Sequence, residues 1–191
     1  AGRTLFWMIA AAAGARNFAM SLNRFADRRL DLQNPRTRDR AEFQGLLGSG
    51  RIWVLMIAFA GLFVFSAWML NPLAFGLSFA VVGVTVLYSY SKRFTSFSHI
   101  FLGFVLGAAP AGAWVAVRGE LGWVPVLLFA GVTLWVAGFD MIYACLDVEF
   151  DRAENLFSLP RLLGIRGALI ASAAAQSRAA PLLHLAENTP G

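Results

Sequence analysis

Two sets of acidic and amide side chains recur at helical spacing in an otherwise apolar chain: Asn23, Asp27 and Asp31 near the start, and Asp140, Asp147 and Asp151 near the end. Steps of four or seven residues return to nearly the same azimuth on an α-helix, so each set can point several oxygens at one spot. Mg²⁺ takes hard oxygen ligands, keeps several waters, and is commonly held by one or two carboxylates together with substrate phosphates. Carboxylates alone repel a diphosphate. A metal ion reverses that repulsion, and Lys92, Arg93, Arg36 and Arg40 are cations able to neutralise charge on a leaving diphosphate. The pairs Asp27/Asp31 and Asp147/Asp151 are therefore expected to bind Mg²⁺ and one shared phosphate compound. A plainer reading stays open for each. Arg24, Arg28 and Arg29 lie within a turn of Asp27 or Asp31 and could simply solvate a helix end, and Lys92 with Arg93 could be a topological anchor.

The elements that must position these groups are membrane helices. Hydrophobic residues make up 58% of the chain and charged residues 14%, whereas roughly a quarter of a soluble domain's residues are charged. Residues 52–91 contain no Asp, Glu, Lys or Arg. That run is about twice the roughly 20 residues needed to cross the hydrocarbon once, and Asn71-Pro72 divides it as a tight interhelical turn. Five spans are expected, at 4–22, 52–70, 73–91, 97–117 and 122–143. The runs are continuous, without the period-two alternation of barrel strands. The fold class is thus all-α, a multi-span transmembrane helical bundle. A sixth segment, about 162–175, is apolar but short and carries Arg166. Gln176, Arg178 and the polar ending after Leu185 are expected to stop it early, as an interfacial or truncated piece.

Loops rich in Lys and Arg stay in the cytoplasm, and the stretch from Arg24 to Arg51 carries seven arginines. Counting spans from it puts Lys92, Arg93, Arg152 and Arg161 on the same side, so both acidic clusters are expected to face the cytoplasm. The net charge of +5 reads as topology and anion binding rather than nucleic-acid recognition. The chain is read as one transmembrane domain, 1–191, with a cytoplasmic loop at 24–51 carrying the first Asp motif and a weak or truncated segment at 152–191. The first apolar segment runs directly into Arg16 and Asn17 and is expected to remain as a span. A lone Cys145 can form neither an internal disulfide nor a paired thiolate site.

Three stretches carry a family resemblance. Residues 23–31 (NRFADRRLD), followed by Asn34-Pro35-Arg36-Thr37, look like the first NxxxDxxxD motif of the UbiA-type intramembrane prenyltransferases. Residues 143–151 (YACLDVEFD) resemble their second DxxxD motif, and residues 88–95 (YSYSKRFT) their YxxxKR loop. The order matches, over about residues 3–170. The resemblance is strongest to polyprenyltransferases for 4-hydroxybenzoate or for the naphthoate acceptor of menaquinone synthesis.

The resemblance implies Mg²⁺-dependent transfer of a polyprenyl chain from its diphosphate to a small aromatic acceptor, through an allylic carbocation, in ubiquinone or menaquinone biosynthesis. It implies Asp27 and Asp31 on one Mg²⁺ and Asp147 and Asp151 on a second, with Asn23 supporting the first site and Lys92 and Arg93 gripping the diphosphate. Tyr88 and Tyr143 stand one turn before Lys92 and Asp147 and could orient oxygens. Asp140, deeper in its helix, could contact the acceptor or equally stabilise packing. His99 shows no partner in the sequence and reads as a satisfied loop or helix histidine. Most of the 17 Phe and 6 Trp read as packed or lipid-facing residues. The bilayer expected is a bacterial inner membrane, and no nucleic acid is expected as partner. The family fold has nine spans, so a chain of 191 residues is expected to be cut short at both ends. The alternatives are an inactive fragment of such an enzyme, or a transporter or structural membrane protein whose charged helix ends set topology.

Overall fold

A computed structural model describes residues 2–39 and 48–189, and among them there are only helices and turns, with no strand. The order is α1 (Gly2–Gln33), α2 (Ser49–Leu70), α3 (Pro72–Ser91), α4 (Ser98–Arg118), α5 (Trp123–Ala144), a 3-10 turn (Cys145–Asp147), α6 (Val148–Ala153) and α7 (Leu159–Asn188). Five segments are long and apolar enough to cross a membrane: α1, α2, α3, α4, and α5 continued through α6. They match the five spans expected from hydropathy, two of them starting one residue later than expected, at Ser98 and Trp123. The helices divide into two compact units, residues 1–82 and 83–191.

In the first unit α1 packs along α2. Phe18 and Leu22 bury against Met56, with Phe25, Phe59, Ala60 and Val82 around them. The approach is close at Gly14, where a Cβ would stand 2.8 Å from the Phe63 backbone nitrogen. Asn71 alone separates α2 from α3. Its side-chain oxygen accepts the Ala74 amide at 2.8 Å, and Pro72 occupies the first helical position, where no amide hydrogen is required. The expected Asn71-Pro72 turn is thus a helix cap.

In the second unit α5 packs between α4 and α7 through small residues. Thr133 donates its hydroxyl to the Gly103 carbonyl at 3.3 Å, and Ser172 donates to the Gly138 carbonyl at 2.6 Å. A Cβ on Gly138 would lie 2.9 Å from the Ser172 carbonyl oxygen, so only glycine lets α7 approach this far. Ala137, Met141 and Leu159 form the buried cluster at the motif end.

Two elements differ from expectation. The loop expected from residue 24 is helical through Gln33, so the first Asp motif sits on α1 itself. The C-terminal segment does not stop at Gln176 or Arg178 but continues as helix to Asn188, with a bend at Gly164, whose φ of 72° only glycine adopts readily. The reason is packing. Ala168, Ser172, Ala179 and Ala186 make a buried stripe at steps of four and seven residues, while Arg178 is on the exposed side. This helix is not among the five that are apolar enough to span.

Candidate functional site

The first motif lies on the last turns of α1. Asn23, Asp27 and Asp31 are all half-buried and keep their four-residue spacing on one continuous helix. The chain then turns sharply. The Asn34 side-chain oxygen accepts the Arg36 amide at 2.9 Å, and the Thr37 hydroxyl donates to the Asp31 carbonyl at 3.0 Å, with Asn34 and Thr37 both buried. The Thr37 bond satisfies a carbonyl that the helix end leaves open, and the Asn34 bond holds the turn that follows. Arg28 donates to the Ser49 hydroxyl at 2.8 Å, tying this end of α1 to the start of α2. Arg36 is exposed, and Arg40 lies outside the described residues.

The second motif spans a change of helix type. α5 ends at Ala144, a 3-10 turn carries Cys145 to Asp147, and α6 begins at Val148. A 3-10 turn advances each residue further around the axis than an α-helix. Asp147 is 9% exposed and Asp151 only 1%, and the two are in electrostatic contact. Asp151 also lies in the field of Lys92 and His99, and the Ser158 hydroxyl approaches its carboxylate without reaching hydrogen-bond geometry. The Oδ2 atom of Asp151 is buried with no hydrogen-bond partner.

Lys92 is placed by its backbone. Its carbonyl accepts the Phe157 amide at 2.7 Å, which joins the turn after α3 to the loop after α6. Arg161 shapes that loop, donating to the Leu156 carbonyl at 2.6 Å, to the Asp151 carbonyl at 3.5 Å and to the Asn155 side chain at 3.4 Å. Asn155 takes φ of 55°, a left-handed conformation that asparagine tolerates better than most residues. Arg93 is exposed and its guanidinium stacks 4.8 Å above the Tyr90 ring. Tyr88, four residues before Lys92 on the last turn of α3, is half-buried. Tyr143 is the next-to-last residue of α5, one turn before Asp147 in sequence. It is 52% exposed, its ring 4.8 Å from that of Phe139.

His99 is the main correction. It is fully buried on the first turn of α4, and its Nδ1 lies 2.6 Å from Asp140 Oδ2 on α5, 41 residues away. A charge count along single helices could not find this pair. Depth could have: His99 is the second residue of α4 and Asp140 the fifth from the end of α5. At roughly 1.5 Å per residue, antiparallel neighbours bring those positions to similar levels. Arg161, a topological charge on sequence grounds, also binds loop carbonyls.

A Mg²⁺ ion fits what Asp147 and Asp151 provide. Both offer only hard oxygens, and the buried Asp151 Oδ2 makes no hydrogen bond within the described residues, the Ser158 hydroxyl approaching the carboxylate without completing one. Among the described residues no three His, Cys, Asp or Glu side chains gather as a metal cage.

Apolar helices of membrane-spanning length, with the buried Asp147/Asp151 pair in the field of Lys92, define an intramembrane helical protein with a polar site near its helix ends. The chain belongs to the UbiA prenyltransferase family, whose model matches residues 1–187. It is 34% identical over 143 residues to the 4-hydroxybenzoate octaprenyltransferase of Vibrio atlanticus (strain LGP32), covering 75% of this chain and 50% of that protein. It is 36% identical over 148 residues to the protein of the same name from Alcanivorax borkumensis, covering 75% and 49%. The chain spans about half the length of the curated relatives it matches. The apo structure of a UbiA homolog from Aeropyrum pernix K1 superposes with a TM-score of 0.90 at 37% identity, covering 98% of this chain and 73% of that one.

Proposed function

We propose that the protein transfers a polyprenyl chain from its diphosphate to a small aromatic acceptor, 4-hydroxybenzoate or a dihydroxynaphthoate, in quinone biosynthesis, with Mg²⁺ as cofactor. The observation that carries the reading is Asp151: a carboxylate 1% exposed, one oxygen unpartnered, beside Asp147 and in the field of Lys92. Burying a charge in this way is costly unless a cation completes the site. A family of prenyltransferases supplies a substrate whose metal-bound diphosphate would do so.

In this reading Asp147 and Asp151 hold one Mg²⁺, and Asp27 and Asp31, at the same spacing, hold another, with Asn23 supporting them. When bound, the metal neutralises the diphosphate and stabilises it as a leaving group. Lys92, fixed through its carbonyl by Phe157, places one ammonium against the diphosphate, and Arg93 and Arg36 add positive charge from exposed positions. Asp140 is assigned to the acceptor. The bond to the prenyl carbon breaks with its electron pair leaving on the diphosphate. The acceptor ring carbon supplies the new bond and then loses its proton. No side chain here serves as covalent nucleophile. The membrane is the bacterial inner membrane, with the Asp motifs on its cytoplasmic side. The test is prenyl transfer by Asp27→Ala and Asp147→Ala. Both should lose at least about a hundredfold in rate, the scale of removing one preorganised electrostatic group, and unchanged rates would remove the mechanism.

A further inference from the structure

The geometry points to His99 as a positioning residue for Asp140: its Nδ1–H holds one carboxylate oxygen so that the other is presented to the hydroxyl of a phenolic acceptor, an inference resting on the prenyl-transfer reading for the ligand's identity. The two partners differ in exposure. The His99 side chain is 0% exposed and that of Asp140 27%. The pair is therefore locked on the imidazole side and open on the carboxylate side.

Nδ1 and Oδ2 lie 2.6 Å apart, and in the proposed role Nδ1 carries the proton and the carboxylate accepts the hydrogen bond. The terminal torsion of aspartate is broad and roughly two-fold when unconstrained. One short bond to Oδ2 removes that freedom and sets the direction of Oδ1. Among the described residues this is Asp140's only hydrogen bond. A pair serving packing alone gains little, since apolar residues of similar volume are commonly as stable as a buried ionic pair. A carboxylate left partly open within a membrane bundle has the placement of a ligand-binding group.

A second observation connects the same imidazole to the diphosphate-binding carboxylates. His99 acts electrostatically on Asp151, and its Nε2 is buried without a hydrogen-bond partner. One ring thus bonds the carboxylate assigned to the acceptor and is also felt at the carboxylate assigned to the metal. Changes at His99 should therefore act on acceptor binding first, because only Asp140 is held directly.

The test uses the detergent-solubilised chain and 4-hydroxybenzoate as probe, with dihydroxynaphthoate as a second acceptor, by tryptophan fluorescence titration. Three substitutions separate the roles of the ring. His99→Asn can place an amide nitrogen near the Nδ1 position, His99→Gln places one nearer Nε2, and His99→Leu keeps bulk without a donor. The expected result is acceptor Kd raised about tenfold in the Leu and Gln variants, the scale of one lost hydrogen bond to a charged group, and within about twofold of wild type in the Asn variant. The Kd for Mg²⁺ with inorganic diphosphate should stay within about twofold throughout. Should His99→Leu fail to fold, the contrast between Asn and Gln decides.

Equal acceptor binding in all variants overturns the positioning role and leaves the prenyl-transfer reading intact. Parallel loss of acceptor and diphosphate binding, with Asn no better than Gln, makes His99 structural and overturns it too. A wild-type chain that binds neither acceptor overturns this inference together with the acceptor assignment. His-dependent acceptor binding in a chain that transfers no prenyl group would support the inference while removing the proposed activity.

Discussion

Asp151→Asn should have opposite effects on stability with and without the metal. In the absence of metal, Asp151 is a carboxylate 1% exposed with one oxygen unpartnered, attracted by Lys92 and repelled by Asp147. Leaving a buried polar group unsatisfied costs about 1–3 kcal/mol, and the field of Lys92 offsets part of that for a charge. Asparagine has nearly the same volume without the charge. In EDTA the variant should therefore unfold at the same temperature as wild type or up to roughly 4 °C higher, at about 2–4 °C per kcal/mol for a chain of this size. With Mg²⁺ and diphosphate at about a hundred times their Kd, wild type should gain about 2.7 kcal/mol, or roughly 5–10 °C. The variant should gain little, so the order of the two proteins reverses. The assay is thermal unfolding in micelles followed by size-exclusion chromatography. An equal Mg²⁺-diphosphate shift in both proteins would refute Asp151 as a metal ligand. A large loss of stability in EDTA would show that its carboxylate is already satisfied by the protein.

Other outcomes follow from the packing. Gly103→Ala drives a Cβ into the Thr133 carbonyl, whereas Gly112→Ala on the same helix meets open space. The first should cut folded yield severely and the second leave it unchanged, both read by monodisperse recovery after extraction. Ser172→Ala removes the bond to the Gly138 carbonyl and should cost about 0.6 kcal/mol, an average for such bonds between membrane helices, measured by the unfolding midpoint in denaturing detergent. Arg161→Ala releases the Leu156 carbonyl and should loosen the 152–158 loop, seen as faster proteolysis there and a loss of transfer rate, with little change in the unfolding temperature. Equal proteolysis of both proteins would count against Arg161 as the residue that shapes this loop.

Much of the architecture was legible because bilayer thickness leaves few choices for a long apolar run. The uncharged stretch 52–91 with Asn71-Pro72 in it had to be two helices and a turn, and Asn71 caps the second. The spacing of Asn23, Asp27 and Asp31 carried over because α1 is continuous through them. What escaped depended on contacts between helices. His99 and Asp140 lie 41 residues apart and meet only when α4 and α5 are docked. The length of α7 escaped because polar residues break its apolar run along the chain while one face stays small and buried. Arg178 points outward while Ala168, Ser172, Ala179 and Ala186 continue the buried stripe. The 3-10 turn that carries Asp147 after Tyr143 left no mark in the side-chain spacing. The loop bonds of Arg161 go mostly to carbonyls, and any residue type supplies those, so the pattern of side chains held no signal for them.

The central claim is Mg²⁺-dependent prenyl transfer. The most direct measurement supplies a radiolabelled polyprenyl diphosphate and 4-hydroxybenzoate or dihydroxynaphthoate to membranes containing the chain, with and without Mg²⁺, beside a longer relative known to be active. The account predicts labelled prenylated acceptor that forms with Mg²⁺ and disappears in EDTA. No product from a correctly inserted chain, while the relative turns over in the same membranes, would contradict it.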